Sequence, residues 1–256
     1  MRAVYAFIVQ GFRQQSAYRV EGWIGIGTSL IFVALYTGLW TALLRGDPEA
    51  LKLQMAYLIA ARFLSELHFL PTWEVSEKFR QGDVGLELIK PLALPLRILG
   101  DFFGRSLFRV LRSTIPYLLL WALFGLPAPK LPTLLLGVAS GLVGWVILST
   151  MVLSLSLIAL WTVQFNEAEQ FYYILLQVLS GSFIPLYYLP DFVARVAKYL
   201  PFAGIYFVPS AIVAGTLQGP ALAEAVLLQL FWAVVGVFGL TAMWRAGSTK
   251  LVMQGG

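Results

Sequence analysis

From Leu131 to Asn166 the chain runs 36 residues without a charged side chain. An α-helix needs about 20 predominantly apolar residues to cross the hydrocarbon core of a bilayer. In lipid every backbone N–H and C=O must be satisfied inside the protein, which a helix achieves within one segment. Gly22 to Leu44 is a second run of this kind, with 23 uncharged residues. Composition excludes the alternative of a soluble fold. The 256 residues are 59% hydrophobic and 12% charged, whereas soluble domains are roughly 45–50% apolar and about 25% charged. An all-α polytopic membrane protein with a single transmembrane domain is expected.

Six spans are expected, at about residues 22–44, 51–71, 107–127, 133–163, 169–188 and 222–245. The second carries Lys52, Arg62, Glu66 and His68 and still reads as a helix. Arg109 and Arg112, in the third, are expected to snorkel to an interface. Residues 199–223 are uncharged but contain Pro201, Gly204, Pro209, Gly215, Gly219 and Pro220. Two internal prolines leave backbone groups unpaired in lipid, so residues 189–221 are expected to form a broken, re-entrant or interfacial hairpin. A seventh span is the alternative. The first 20 residues alternate apolar with polar and basic side chains, the pattern of an amphipathic helix lying at the membrane surface. They lack an apolar core followed by a small-residue cleavage site and read as mature protein.

Lys and Arg collect on the cytoplasmic side of membrane proteins. With six spans, one side holds Arg2, Arg13 and Arg19, the seven basic residues from Lys78 to Arg112, and Arg245 and Lys250. The other holds Arg45, Lys52, Lys130, Arg195 and Lys198. Twelve against five places both termini in the cytoplasm. The net charge of +5 is thus largely a topology signal, and nucleic-acid binding is not expected. The absence of cysteine excludes disulfides and thiol nucleophiles.

Two connections are long. The cytoplasmic one, 72–106, begins with a possible helix that Gly82 breaks. Asp83 then caps a short amphipathic turn, Val84–Ile89, which Lys90-Pro91 and Pro95 end. It suits docking onto a soluble partner and equally a connector resting on headgroups. The extracellular one contains an amphipathic helix after Pro190, with Asp191 as its cap, that either lids a pathway or rests on lipid.

Ionisable residues inside spans are functional candidates by default. Arg62 and Glu66 are four apart, so they are expected to pair on one helix face, or else to line a polar cavity or a subunit seam. His68 is expected at the membrane interface. Gly137, Ser140, Gly141 and Gly144 form a small-residue face that lets helices approach closely. The aromatic residues Tyr172, Tyr173, Phe183 and Tyr187 suit a lipid, a drug or an interfacial belt equally. No phosphate-binding G-x-x-x-x-G-K-[ST], metal-binding H-E-x-x-H or nucleophilic G-x-S-x-G occurs. No catalytic residue is assigned, and no nucleotide or metal is expected on this chain.

Two passages in this order of parts resemble the ABC-2 type permeases, the membrane subunits of a class of ATP-binding-cassette transporters. One is EKFRQGDVGLELIKPLALP, with Gly82, Asp83, Leu86, Leu88, Lys90 and Pro91. The other is LSGSFIPLYYLPDFVARVAKYLPF, with Gly181, Pro185, Leu189, Pro190 and Pro201. The resemblance covers essentially the whole chain. It implies that two permeases, identical or homologous, pair in the plasma (inner) membrane, each bound to a separate ATPase subunit that holds ATP and Mg. Glu77, Arg80, Gly82, Asp83, Leu86, Leu88, Lys90 and Pro91 would form the coupling helix that docks on the ATPase. The path would lie between the permeases, mainly along spans 2 and 5, with Arg62, Glu66, Tyr172, Tyr173 and Phe183 as its candidates. Pro185, Pro190 and Pro201 would shape the extracellular hairpin. An exporter is expected. The alternatives are an ATP-independent channel or secondary carrier, against which no internal repeat is found, and a scaffold subunit.

Overall fold

The computed structural model describes residues 2–70, 74, 92–158 and 166–254. Nine α-helices and two 3₁₀ turns account for their regular structure, without a strand among the described residues. The helices are α1 Arg2–Ala17, α2 Arg19–Leu43, α3 Pro48–Leu67, α4 Leu94–Leu123 and α5 Leu131–Ile158. They continue with α6 Asn166–Leu179, α7 Asp191–Tyr199, α8 Phe207–Ala214 and α9 Gly219–Gln254. The 3₁₀ turns are Leu186–Tyr188 and Pro201–Gly204.

Helix starts follow local chemistry. Asp47 accepts from Ala50 N at 3.0 Å and Pro48 occupies the first turn of α3; the proline lacks only a donor that would have no helical partner there. Pro95 plays the same part in α4. The sequence places Pro95 at the end of a cytoplasmic turn, and the structure corrects this. Residues 94–106, expected within the loop 72–106, are the first turns of a 30-residue helix. Pro116 lies inside that helix and withdraws the donor that Arg112 O would otherwise use.

Among the described residues, three helices are long and apolar enough to cross a membrane: Gly22–Leu43, Leu131–Ile158 and Gly219–Ser248. At 1.5 Å per residue, α5 alone is about 42 Å long. Of the residues in its most apolar stretch 61% are buried, against 22% for α2 and 11% for α9. Therefore α5 is the central helix, and α2 and α9 present apolar flanks outward.

The small face of α5 explains this centrality. A Cβ on Gly137 would stand 2.5 Å from Val213 Cγ2, one on Gly141 2.9 Å from Leu64 Cδ2, and one on Gly144 2.8 Å from Ile205 O. Glycine at these positions lets α3, α8 and the second 3₁₀ turn reach the α5 backbone. Gln229, in α9, secures the same junction. Its Nε2 donates to Ser140 O at 2.9 Å and to Gly204 O at 2.6 Å, and its Oε1 accepts from Ser140 Oγ at 2.9 Å.

The segment expected as the outer hairpin is α7, the second 3₁₀ turn and α8. With eight residues, α8 is too short to cross a membrane by itself as a seventh span. It is largely buried and packs on α3 and α5. Pro190, not Asp191, is the N-cap of α7. Lys198 joins Glu224 of α9 at 2.7 Å, and Trp232 Nε1 donates to Tyr199 O at 2.9 Å.

At the other end of the molecule, α1 lies along the first half of α4. A Cβ on Gly104 would collide with Ile8 O, and one on Gly11 with Asp101 O. Arg105 binds Glu74 through both carboxylate oxygens at 2.9 Å, Asp101 at 2.8 Å and Gln14 at 3.2 Å. The chain leaving the expected second span is thereby moored to both helices.

Candidate functional site

Four of the five residues expected to line a path meet in one cavity of about 350 Å³. Arg62, on α3, faces Tyr172 and Tyr173 of α6 across it, and Phe183 lies after the end of α6. Ser65, His68, Leu148, Val152 and Tyr206 complete much of the wall. The helical period explains the contribution of α3: residues 62, 65 and 69 follow one another at spacings of three and four, on one face.

The fifth residue is elsewhere. Glu66 is 2% exposed and turns toward α4. Arg109 Nη2 lies 2.9 Å from its Oε2, and Arg112 Nη2 is 3.9 Å away. The expected Arg62–Glu66 pair is therefore corrected. A carboxylate in this position reaches two guanidiniums on the neighbouring helix, one turn apart, and those contacts neutralise it better than one partner on its own helix. The expected snorkelling of Arg109 and Arg112 is corrected with it. Their side chains are 17% and 8% exposed. The Arg109 guanidinium also lies 4.0 Å from the Phe69 ring centroid. Gly22 of α2 admits Arg112, whose Nη1 would collide with any Cβ there.

Arg62 takes a different kind of partner. Its guanidinium lies 4.3 Å from the centroid of the Phe32 ring of α2. Phe32 in turn stacks on Tyr36 at 4.2 Å and meets Phe183 edge-on at 5.3 Å. A ring face attracts a cation through its quadrupole without neutralising it. Among the described residues, Arg109 and Arg112 share the Glu66 carboxylate, and Arg62 has no acid within ion-pair distance.

His68 packs inside the protein. It is 4% exposed, its Nε2 lies 3.1 Å from Gly141 O, and its ring meets Tyr206 edge-on at 4.9 Å. A carbonyl only accepts, so Nε2 carries the proton. The histidine fastens α3 to the small face of α5.

One end of the cavity depends on a chain break that the sequence places later. The fifth span is expected to run to residue 188, but α6 ends at Leu179. Gly181 follows with φ +76°, a left-handed conformation that side chains resist. Its carbonyl accepts from Tyr57 Oη at 2.7 Å. Ser182 and Phe183 can line the cavity because the helix has stopped. Pro185 then precedes the first 3₁₀ turn, and Pro201 begins the second. Gln54 and Tyr57, both 1% exposed, were not singled out in the sequence; Gln54 Oε1 accepts from Tyr187 Oη at 3.3 Å. The signal for Gln54, as for Gln229, is an amide within an apolar stretch. Phe32 carries no such signal.

The coupling residues Glu77, Arg80, Gly82, Asp83, Leu86, Leu88, Lys90 and Pro91 lie outside the described residues. The described flanks are α3 and Glu74 on one side and α4 on the other, joined through Glu66 and Arg105 as above.

The profile of the ABC-2 family transporter proteins matches residues 48–255, from the first residue of α3 to beyond the end of α9. The chain belongs to this family. A comparison with curated proteins finds no match. Membership makes the chain a permease component of an ABC transporter, a class that implies association with an ABC ATPase. The resemblance carried by Glu77–Pro95 and Leu179–Phe202 points to the same family. In the permease, these charges divide between a packed Glu66–Arg109–Arg112 group and a cavity that holds Arg62.

Proposed function

We propose that the permease is the path-forming subunit of an ABC exporter, and that the cavity between α3, α5 and α6 lies on the path. The observation that carries this is the meeting of Arg62, Tyr172, Tyr173 and Phe183 around one space. In this account six segments cross the plasma (inner) membrane. They are α2, α3, α4, α5, α6 and α9. The basic residues of the 72–106 connection and of both termini hold those parts in the cytoplasm. Residues 189–221 form a re-entrant outer hairpin.

Two ATPase subunits bind ATP and Mg and serve two permeases, of the same or a homologous chain. The stretch from Glu77 to Pro91 docks on the ATPase as a coupling helix. Nucleotide binding biases a two-state equilibrium only if the two states differ in their contacts. The rigid unit for such a difference is the α3–α4 pair, clamped by Glu66 with Arg109 and Arg112 and by Glu74 with Arg105. A displacement of the docked stretch moves both helices together and changes the cavity wall.

Co-purification tests the docking. Asp83→Arg with Leu86→Asp is expected to abolish recovery of the ATPase with the permease while leaving the permease folded in the membrane. Undiminished recovery of the ATPase on the double variant contradicts the assignment of the coupling stretch.

A further inference from the structure

We infer that the cavity takes an anionic amphiphile, a molecule with one acidic group on an apolar or aromatic body, and that Arg62 recognises the acidic group. This deepens the proposed transport function and rests on it.

Charge is the first argument. Among the described residues Arg62 is the one arginine, lysine or carboxylate residue that lines the cavity. Its neighbour Glu66 is committed to Arg109 and Arg112, and its own partners, the Phe32 ring and the Tyr117 hydroxyl, carry no negative charge. An uncompensated charge away from water is costly, and such residues inside membrane proteins mark ligand pathways. An anion in the cavity removes that cost, whereas a cation adds to it.

Unused hydrogen-bonding capacity is the second. Arg62 Nε and Tyr172 Oη are buried donors that make no hydrogen bond to the described residues. Both belong to residues of the cavity wall. Native proteins leave few buried polar atoms unpaired. Two donors in one wall point to an acceptor from outside the chain. Hydrogen bonds from a guanidinium to an acid are charge-assisted and are frequently bidentate.

The rest of the wall sets the body of the ligand. Leu148, Val152, Leu176 and Phe183 are apolar, and the rings of Tyr172 and Tyr173 meet at 5.9 Å. A volume of about 350 Å³ falls within the range of small-molecule sites.

The test uses the full chain in phosphatidylcholine nanodiscs and three fluorescent probes. These are 1-anilinonaphthalene-8-sulfonate, its uncharged counterpart N-phenyl-1-naphthylamine, and the cation rhodamine 6G. Saturable binding above that of empty discs is measured. The sulfonate is expected to bind about tenfold or more tighter than the naphthylamine, as one charge-assisted contact warrants, and the rhodamine more weakly than either. Arg62→Gln is expected to remove the preference for the sulfonate and leave the naphthylamine within about twofold. Arg62→Lys keeps the charge but loses the planar fork, and is expected to keep only part of the preference.

Equal affinity for sulfonate and naphthylamine in the unaltered protein overturns the inference, as does an undiminished preference in Arg62→Gln. The comparison on the unaltered protein requires no variant, so a folding defect in Arg62→Gln leaves it intact. ATPase association without an anion preference sinks this inference and spares the transport function. An anion preference without ATPase association does the reverse.

Discussion

Glu66→Ala is expected to destabilise the permease by about 3–5 kcal/mol, the cost of stranding buried charge. The carboxylate is 2% exposed and is the described acid of the group with Arg109 and Arg112. Its removal leaves two guanidiniums in a space closed by Phe69, Phe108 and the backbone at Gly22. The double variant Glu66→Leu with Arg109→Leu is expected to be more stable than Glu66→Ala, because an apolar pair replaces an ion pair at little cost while a half pair does not. Denaturant titration of the purified protein in mixed micelles measures both. Strict additivity of the losses of Glu66→Leu and Arg109→Leu, each measured alone, contradicts the pairing, because independent sites add and coupled sites do not.

The second large effect is at Gly181. Gly181→Ala is expected to cost about 3 kcal/mol, from left-handed backbone strain and overpacking together. The added Cβ would lie 2.6 Å from Tyr57 Oη and 2.9 Å from Phe207 Cβ. Adding Tyr57→Phe removes the closest atom and is expected to restore part of the loss, though never all of it, since φ stays at +76°. The same titration reads the recovery. Gly181→Ala without loss contradicts the role of this break in shaping the end of the cavity.

What the sequence made legible follows the physics that acts locally. The long uncharged run after Leu131 foretold α5, because a helix in lipid satisfies its own backbone. Pro185, Pro190 and Pro201 were legible as breaks, and each stands at the start of an element. Arg62, Tyr172, Tyr173 and Phe183 were legible as polar or aromatic residues in apolar surroundings, and they converge on one cavity.

The partner of Glu66 was not legible. A spacing of four residues permits a pair with Arg62, but the choice of Arg109 and Arg112 depends on how α4 docks. The same holds for Phe32, which meets Arg62 only through the packing of α2. The end of α6 escaped because Leu179 to Pro190 is as apolar as a helix in lipid, and hydropathy carries no information on the φ of Gly181. The start of α4 escaped because proline both ends and begins helices, and the choice at Pro95 is made by the packing of α1 on Gly100 and Gly104.

A permease without cysteine permits a direct test of the central claim, that the cavity belongs to a path governed by the ATPase. Phe183→Cys introduces the chain's only thiol, on the cavity wall. Its reaction rate with a membrane-impermeant thiol reagent is measured from the outer side in the assembled transporter, without nucleotide and with a non-hydrolysable ATP analogue. The rate is expected to differ at least severalfold between the two states, since in the proposed coupling closure of the ATPase would move α3 and α4 against α6. Equal rates in both states, with the ATPase bound, contradict the claim.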